Sequence, residues 1–120
     1  MPKKKFVCGC YSERKNRYLE PSLLLLLSQK SAHGYELISG LEQLGFHNGH
    51  PDPGAMYRKL RHMEEFKLVT SQWDTSGFGP AKRLYHITKL GRQYLDNWVE
   101  VLKKRHQALE NFLQKYEQLK

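Results

Sequence analysis

The stretch Asp52–Phe66, DPGAMYRKLRHMEEF, constrains the fold of this chain more than any other part of it. Asp52 is a favoured N-cap residue and Pro53 suits the first helical position, so a helix is predicted to begin here. At about 100° per residue, apolar side chains fall on one face of this helix and basic ones on the other. The apolar face is Met56, Leu60 and Met63, the opposite face is Gly54, Arg58, Arg61 and His62, and Tyr57 and Lys59 lie at the border.

A short helix with one buried stripe and one basic face can enter the major groove of DNA. There an arginine can contact guanine, while a tyrosine or lysine holds phosphate. The alternative is an ordinary amphipathic surface helix with solvated charges. The segments on either side of the helix decide between the two interpretations.

A β-hairpin is predicted directly after this helix. Leu68–Asp74 and Lys82–Ile87 are rich in β-branched and aromatic residues, and the loop between them, TSGFGPA, contains two glycines and a proline. Lys82 and Arg83 follow the loop at once. A basic hairpin after a basic helix is typical of a winged helix-turn-helix, with the wing against the DNA backbone or minor groove, although a plain structural hairpin is the alternative.

The region before the basic helix supplies the rest of such a domain. Met1–Arg17 is polar and basic, and it is predicted to be a flexible arm. A helix then begins near Pro21 and includes five consecutive leucines, Leu23–Leu27, which must be covered on most sides. Ser31 is predicted to cap the next helix, whose apolar side would be formed by Tyr35, Leu37, Ile38, Leu41 and Leu44, and Gly45 would end it. A turn-rich loop, Phe46–Pro51, leads to the basic helix.

The last helix is predicted to start after a Thr88 cap and to run towards Lys120. Its apolar seam has heptad spacing with one polar interruption at Arg105. The seam is Leu95, Trp98, Leu102, Leu109, Phe112, Tyr116 and Leu119. A helix of about thirty residues spans about 45 Å, more than a small domain, so a symmetric partner is expected to cover part of it. The alternative is a helix that folds back on its own domain.

These segments predict a mainly α fold with a small β-hairpin: a winged helix-turn-helix plus a long C-terminal dimerisation helix. The predicted divisions are a basic arm at 1–17, a DNA-binding domain at 18–88 and a dimerisation helix at 89–120. A two-fold homodimer would place two basic helices on two half-sites of double-stranded DNA.

Composition limits the partners of the chain. The net charge of +8 favours polyanions over neutral or basic partners. The sequence contains no run of 18 apolar residues, so no membrane span is predicted. No apolar signal-peptide region follows the first lysines, so the cytoplasm is the expected location. No P-loop, nucleophile elbow or Gly-rich dinucleotide turn is present, so neither an enzyme nor a cofactor is expected.

Cys8 and Cys10 are the only cysteines, and they are too close together to form a disulfide framework. With His47 and His50 they could form a Cys₂His₂ set, but the spacing differs from that of zinc fingers. The weaker interpretation is therefore a metal or thiol sensor in the arm, and the stronger one is a pair of reduced cysteines.

Three stretches carry a resemblance to a known family. PGAMYRKLRHMEEFKLV, the hairpin end GPAKRLYHIT and LGRQYL, together with HGYEL at 33–37, resemble the PadR family of winged-helix transcriptional regulators. The resemblance covers about Leu19–Lys120 and is strongest to the short subfamily with one C-terminal dimerisation helix. Members often have proline at the position of Arg58 and glycine at the position of Lys67. The first difference bears on base preference and the second on the turn before the wing.

The resemblance implies which residues contact DNA. Tyr57 would contact the backbone, with Arg58, Lys59 and Arg61 at the groove. Gly79, Pro80, Lys82 and Arg83 would form the wing contact, and the helix start, including Ser31, His33 and Tyr35, would face phosphate.

The resemblance also implies a function. Family members are mostly repressors that leave DNA when a small apolar molecule binds near the dimer interface. Trp98 is the matching candidate for that effector site, although a packed indole in the dimer seam is the favoured alternative. A protein-interaction adaptor that uses the long helix as its docking surface is a third hypothesis.

Overall fold

The computed structural model describes residues 18–45 and 51–120. In chain order the elements are α1 (Leu19–Gln29), β1 (Ala32–His33), α2 (Gly34–Leu44), α3 (Pro53–Glu65), β2 (Val69–Asp74), β3 (Lys82–Ile87) and α4 (Lys89–Gln118). The predicted fold class is confirmed: three helices and a wing are followed by one long helix. Within these residues, no helix is both long and apolar enough to cross a membrane.

The core lies where α1, α2 and α3 meet one face of the sheet. Its largest fully buried side chains are Leu23, Leu24, Leu27, Leu37, Leu41, Met56, Leu60, Met63 and Val69. Three of the five consecutive leucines of α1 are in this set, whereas Leu25 is exposed. The predicted apolar face of α3 (Met56, Leu60 and Met63) is therefore confirmed as the face that anchors the helix to its domain.

The beginning of α2 corrects two predictions. His33, not Ser31, is the N-cap, and its backbone N–H donates to Glu36 Oε1 at 2.8 Å in a capping box. Ser31 Oγ instead lies 2.6 Å from His86 Nδ1. Tyr35 was expected on the apolar side but is 55% exposed, because it lies about 200° around the helix from the buried Leu37.

The wing is part of a three-stranded antiparallel sheet in the order β1-β3-β2. β2 and β3 pair over six residues, from Val69 opposite Ile87 to Asp74 opposite Lys82, which confirms the predicted hairpin. The two-residue β1 adds a strand that was not predicted, with His33 opposite Leu84. This extra strand attaches the start of α2 directly to the wing.

The long helix α4 divides into a docked part and a projecting part. Thr88 Oγ1 accepts from Gly91 N at 2.9 Å, so the predicted cap is confirmed. Leu95 is buried in the domain core, and Trp98, Val99 and Leu102 are partly buried. All side chains from Lys103 onward are exposed, and the chain is 59 Å along its longest axis. The distal half of α4 therefore leaves its apolar seam uncovered within one chain.

Lys67 occupies the turn between α3 and β2 with φ = 63°, and among the described residues it is the only non-glycine with positive φ. A side chain in this left-handed region costs about 1 kcal/mol, which glycine avoids. Lys67→Gly should therefore raise the free energy of unfolding by about 0.5–1 kcal/mol, measured by urea denaturation at fixed protein concentration. Lys67→Ala removes the same charge but keeps the strain. An equal gain in that control would show that charge, not φ, limits stability.

Candidate nucleic-acid interface

The outward face of α3 is basic and free of core contacts. The Asp52 side chain accepts from Gly54 N at 3.0 Å and fixes the start of the helix, as predicted. Arg58, Arg61 and His62 are exposed on the side opposite the buried methionines. This face combines a small residue at its leading end with three side chains that can donate hydrogen bonds to an anion.

Glu64 fastens α3 to the wing. Its Oε2 accepts from Ser71 Oγ on β2 at 2.8 Å. The preceding residue, Met63, is buried in the core. The Met63-Glu64 pair thus has two distinct roles: the methionine packs in the core and the glutamate fixes the angle between helix and hairpin. This hydrogen bond joins α3, which carries the basic face, directly to the first strand of the wing.

The Tyr85 phenol shows that the two basic elements lie close together. Burial raises the pKa of Tyr85, and the positive charges of Arg83 and Arg61 act in the opposite direction. Tyr57 and Glu64 also act on the same hydroxyl. One arginine from α3 and one from β3 therefore lie within electrostatic reach of a single buried group.

Tyr57 is positioned by a glycine. Its ring, 43% exposed, lies against Gly34 at the start of α2, and a Cβ at that glycine would collide with the tyrosine hydroxyl. The glycine of the HGYEL stretch therefore creates the space for Tyr57 at the junction of α2 and α3. Sequence reasoning did not identify Gly34, because this contact joins residues in two different helices.

His33 joins the start of α2 to the wing. Its Nε2 donates to Asp74 Oδ2 at the end of β2 (2.8 Å), and its Nδ1 lies 3.1 Å from Glu36 Oε1. Both ring nitrogens thus lie beside carboxylates of the same chain, and the predicted phosphate contact of His33 stays a prediction. Its observed role is to tie α2 to β2.

Two aromatic rings lie beside the cations at the loop end of the wing. The Lys82 ammonium lies 5.2 Å from the ring centroid of Tyr35, which itself stacks on His33 at 5.5 Å. The Arg83 guanidinium lies 4.6 Å from the ring centroid of Trp73. Such contacts limit the conformations of long side chains without neutralising them. Lys82 and Arg83 therefore remain available as ordered positive charges.

Asp74 makes this junction sensitive to acid. Hydrogen bonds from the Ser76 hydroxyl and backbone, followed by that from His33, lower the pKa of Asp74 to about 2, and the His33 backbone N–H lowers that of Glu36. A depressed folded-state pKa stabilises the fold above the unfolded value of about 4, and this contribution is lost as pH falls towards 2.

Asp74→Asn should therefore flatten the dependence of the unfolding midpoint on pH between 4 and 2, with the midpoint measured by circular dichroism. Asp96→Asn, which removes an exposed carboxyl of α4, is the control. An equal effect of both substitutions would contradict the assignment.

Glu20 connects α1, α3 and α4. Its Oε1 accepts from Trp98 Nε1 at 3.1 Å, and its Oε2 lies 3.8 Å from Lys59 Nζ. The pKa of Tyr94 is raised, first by burial and then by the Glu20 charge. Lys59 therefore faces a carboxylate of its own chain and adds less net charge to the basic face than Arg58 or Arg61. Trp98 also packs edge-on against Tyr18, with ring centroids 6.4 Å apart.

The predicted metal candidates cannot be placed. Cys8, Cys10, His47 and His50 all lie outside the described residues. Across residues 18–45 and 51–120, no group of three or more His, Cys, Asp or Glu could hold a metal ion.

The fold and this surface define a class: a winged helix-turn-helix protein with a basic third helix and a basic wing. Residues 23–97 match the transcriptional regulator PadR-like family. The chain therefore belongs to the PadR-like family of transcriptional regulators, as its sequence motifs indicated.

Individual relatives agree with this family. The transcriptional regulator YqjI of Escherichia coli (strain K12) is 34% identical over 89 residues, which are 72% of this chain and 41% of that protein. The chain thus spans about two fifths of the length of this relative. A PadR-like transcriptional regulator from Bacillus cereus is 31% identical, with a TM-score of 0.70 over 81% of this chain and 92% of that one.

The same fold occurs in a protein crystallised with DNA. Bacillus subtilis PadR in complex with operator DNA has a TM-score of 0.61 and 23% identity, over 69% of this chain and 46% of that one. These family members and structural neighbours are transcription regulators rather than enzymes.

Proposed function

We propose that this chain is a DNA-binding transcriptional regulator that binds a pseudo-palindromic operator as a homodimer and acts as a ligand-responsive repressor. The observation that carries the proposal is the continuity between the basic face of α3 and the cations of the wing. Glu64 of α3 accepts a hydrogen bond from Ser71 of β2, and the charges of Arg61 and Arg83 both lower the pKa of the Tyr85 phenol, which burial raises. The existence of a PadR structure in complex with operator DNA supports the same function.

The proposed DNA-contacting residues divide into two chemical groups. Tyr57, Lys59, Lys82 and Arg83 would contact phosphate, with Gly79 allowing close approach of the wing loop, while Arg58 and Arg61 would contact base edges. Ser31, His33 and Tyr35 would support the contact at the start of α2. Of these, Tyr35 presents an exposed ring beside Lys82, whereas His33 would act by positioning its neighbours.

This division predicts different effects of two substitutions. Arg61→Ala should relax sequence preference at one base position, with a discrimination loss of about 1–3 kcal/mol there. Lys82→Ala should weaken binding to all duplexes alike and reduce the salt slope by about one. Fluorescence anisotropy on operator variants and random duplex at several salt concentrations measures both. Equal losses on specific and random DNA for the two variants would contradict the division of labour.

The distal half of α4 supports the homodimer. Leu109, Phe112, Leu113 and Tyr116 are each at least half exposed over two turns of a helix that projects from its domain. Leu95 is already covered by its own domain, so the proposed interface rests on Leu102, Leu109, Phe112, Tyr116 and their neighbours, with Trp98 at its inner edge. Two chains paired here would present two α3 helices about one DNA turn, or a multiple of it, apart.

Trp98 is the proposed contact for a small apolar effector. The indole is partly buried at the junction of α1 and α4, and its N–H is held by the same carboxylate that faces Lys59 of α3. A molecule that displaced the indole would release Glu20 and so alter the position of Lys59. Quenching of Trp98 fluorescence by a compound that also releases DNA would support this step, with Trp73→Phe used to remove the other indole. Release of DNA without any change at Trp98 would place the effector site elsewhere.

A further inference from the structure

The tip of the wing carries a large apolar side chain that nothing in the domain covers. Phe78 is the central residue of the seven-residue loop between β2 and β3, and its relative exposure of 103% means that the ring lies entirely in solvent. Isolated exposed apolar residues are common on protein surfaces. Phe78 is a different case, because it lies at the middle of the loop of the hairpin that we propose as a DNA contact.

The loop around Phe78 leaves room for close approach of a ligand. Gly77 precedes it and Gly79 follows it, the latter with φ = 89°, and a Cβ at either glycine would meet nothing within 4 Å. Pro80 limits the freedom of the chain just beyond. The ring is therefore flanked by bare backbone, and nothing beside it would prevent its entry into a narrow space.

The charges around the loop identify a polyanion as the partner. Lys82 and Arg83 lie at its base, each ordered over an aromatic ring. The one acidic residue of the hairpin is Asp74, and its two oxygens already accept hydrogen bonds from Ser76 and His33. A wing-to-wing contact with a second copy of this chain would bring the same positive charges together and be repulsive. In double-stranded DNA, the two cations could contact backbone phosphates while the apolar ring contacts the stacked bases.

We propose that Phe78 is a wedge that inserts between two base pairs from the minor groove when the wing docks, opening one stacking step and kinking the duplex. This inference rests on the proposed DNA-binding function and adds one residue and one mode of contact to it. Apolar side chains inserted in this way unstack a base step and bend the DNA towards the major groove. The easiest steps to open are pyrimidine–purine steps such as TA and CA, so one of these is expected under each wing.

The test uses the full chain and the duplex that the wild-type protein enriches from a random-sequence library. 2-Aminopurine replaces one base at a time in that duplex, and its fluorescence rises where the stack opens. The variants are Phe78→Ala, Phe78→Leu and, as a matched control, Phe66→Ala, which removes an exposed phenylalanine at the C-cap of α3, outside the wing loop. Because the Phe78 ring packs against nothing, its variants should retain the wild-type unfolding midpoint.

The wild type should raise 2-aminopurine fluorescence at one step in each half-site. Phe78→Ala should abolish that rise and weaken operator binding by roughly tenfold to a hundredfold, the range expected for one lost base–aromatic contact. Its affinity for random duplex and its salt slope should not change. Phe78→Leu, which keeps an apolar wedge, should retain most of both signals, and Phe66→Ala should behave as wild type.

Three results would overturn the wedge. Phe78→Ala could match the wild type in fluorescence and affinity, it could weaken operator and random DNA equally, or it could change the oligomeric mass, which would assign Phe78 to a protein contact. In each case the wild type still binds an operator, so the proposed function survives. A wild-type protein that enriches no duplex at all would overturn the proposed function together with the wedge.

Discussion

Phe112→Glu is expected to convert the protein from a dimer to a monomer and to weaken operator binding by roughly a hundredfold to ten-thousandfold. A dimer that binds two half-sites at once gains affinity by a factor of this order over a monomer, and the gain is lost when the dimer dissociates. Phe112 is 66% exposed at the centre of the projecting seam, between Leu109 and Tyr116. A carboxylate at that position would have to be buried against a second apolar seam, which is unfavourable without a partner.

The control for this prediction is Gln114→Glu. It adds the same charge two residues away, about 200° around the helix, on an exposed polar face. Sedimentation velocity measures the mass, and anisotropy on the enriched duplex measures the affinity. If Phe112→Glu stays dimeric, or if Gln114→Glu dissociates equally, then the seam of α4 is not the dimer interface and the wider charge of the helix matters instead.

Gly91→Ala is expected to be the most destabilising single-methyl substitution in the domain. Gly91 is buried at the first turn of α4, and a Cβ there would collide with the backbone carbonyl oxygen of Leu68 and crowd Ile87. That carbonyl already accepts from the backbone and side chain of Thr88, so it cannot move without breaking the cap. Alanine normally gains about 0.5–1 kcal/mol over glycine inside a helix, but overpacking costs about 1–3 kcal/mol and loss of the cap about 1 more.

The net loss should therefore be about 2–3 kcal/mol of unfolding free energy, a large share of the total for a small domain. Gly77→Ala is the matched control, because nothing lies within 4 Å of its added methyl group in the wing loop. It should change stability by less than about 0.5 kcal/mol. Both are measured by urea denaturation at one protein concentration. A Gly91→Ala variant as stable as the control would mean that α4 can shift off the hairpin at little cost.

Much of the fold was predictable because its signals are local. The Asp52 cap, Pro53 and the spacing of Met56, Leu60 and Met63 specified α3, and Gly45, with φ = 82°, ended α2 as its position suggested. The β-branched and aromatic residues on both sides of TSGFGPA specified the wing. Each of these features depends on residues a few positions apart, so sequence pattern alone is sufficient to find it.

The parts that could not be predicted depend on contacts between distant residues. β1 has only two residues, too few for a period, and it exists because β3 offers it a free edge. His33 displaced Ser31 as the cap because Asp74, 41 residues away, holds the imidazole in place. The same is true of Gly34 beside Tyr57 and of Glu20 between Lys59 and Trp98. In the candidate site, the basic residues were therefore predictable, but the groups that position them were not.

Sequence-specific DNA binding is tested most directly by fluorescence anisotropy of the wild-type protein at two salt concentrations. The duplexes are the DNA upstream of its own coding region and those enriched from a random-sequence library, with random duplex as competitor. We expect binding that is preferred over random DNA by roughly 10³ or more and that weakens as salt increases. Binding no tighter than to random duplex for every sequence, with no enrichment from the library, would contradict it and favour a protein-interaction adaptor.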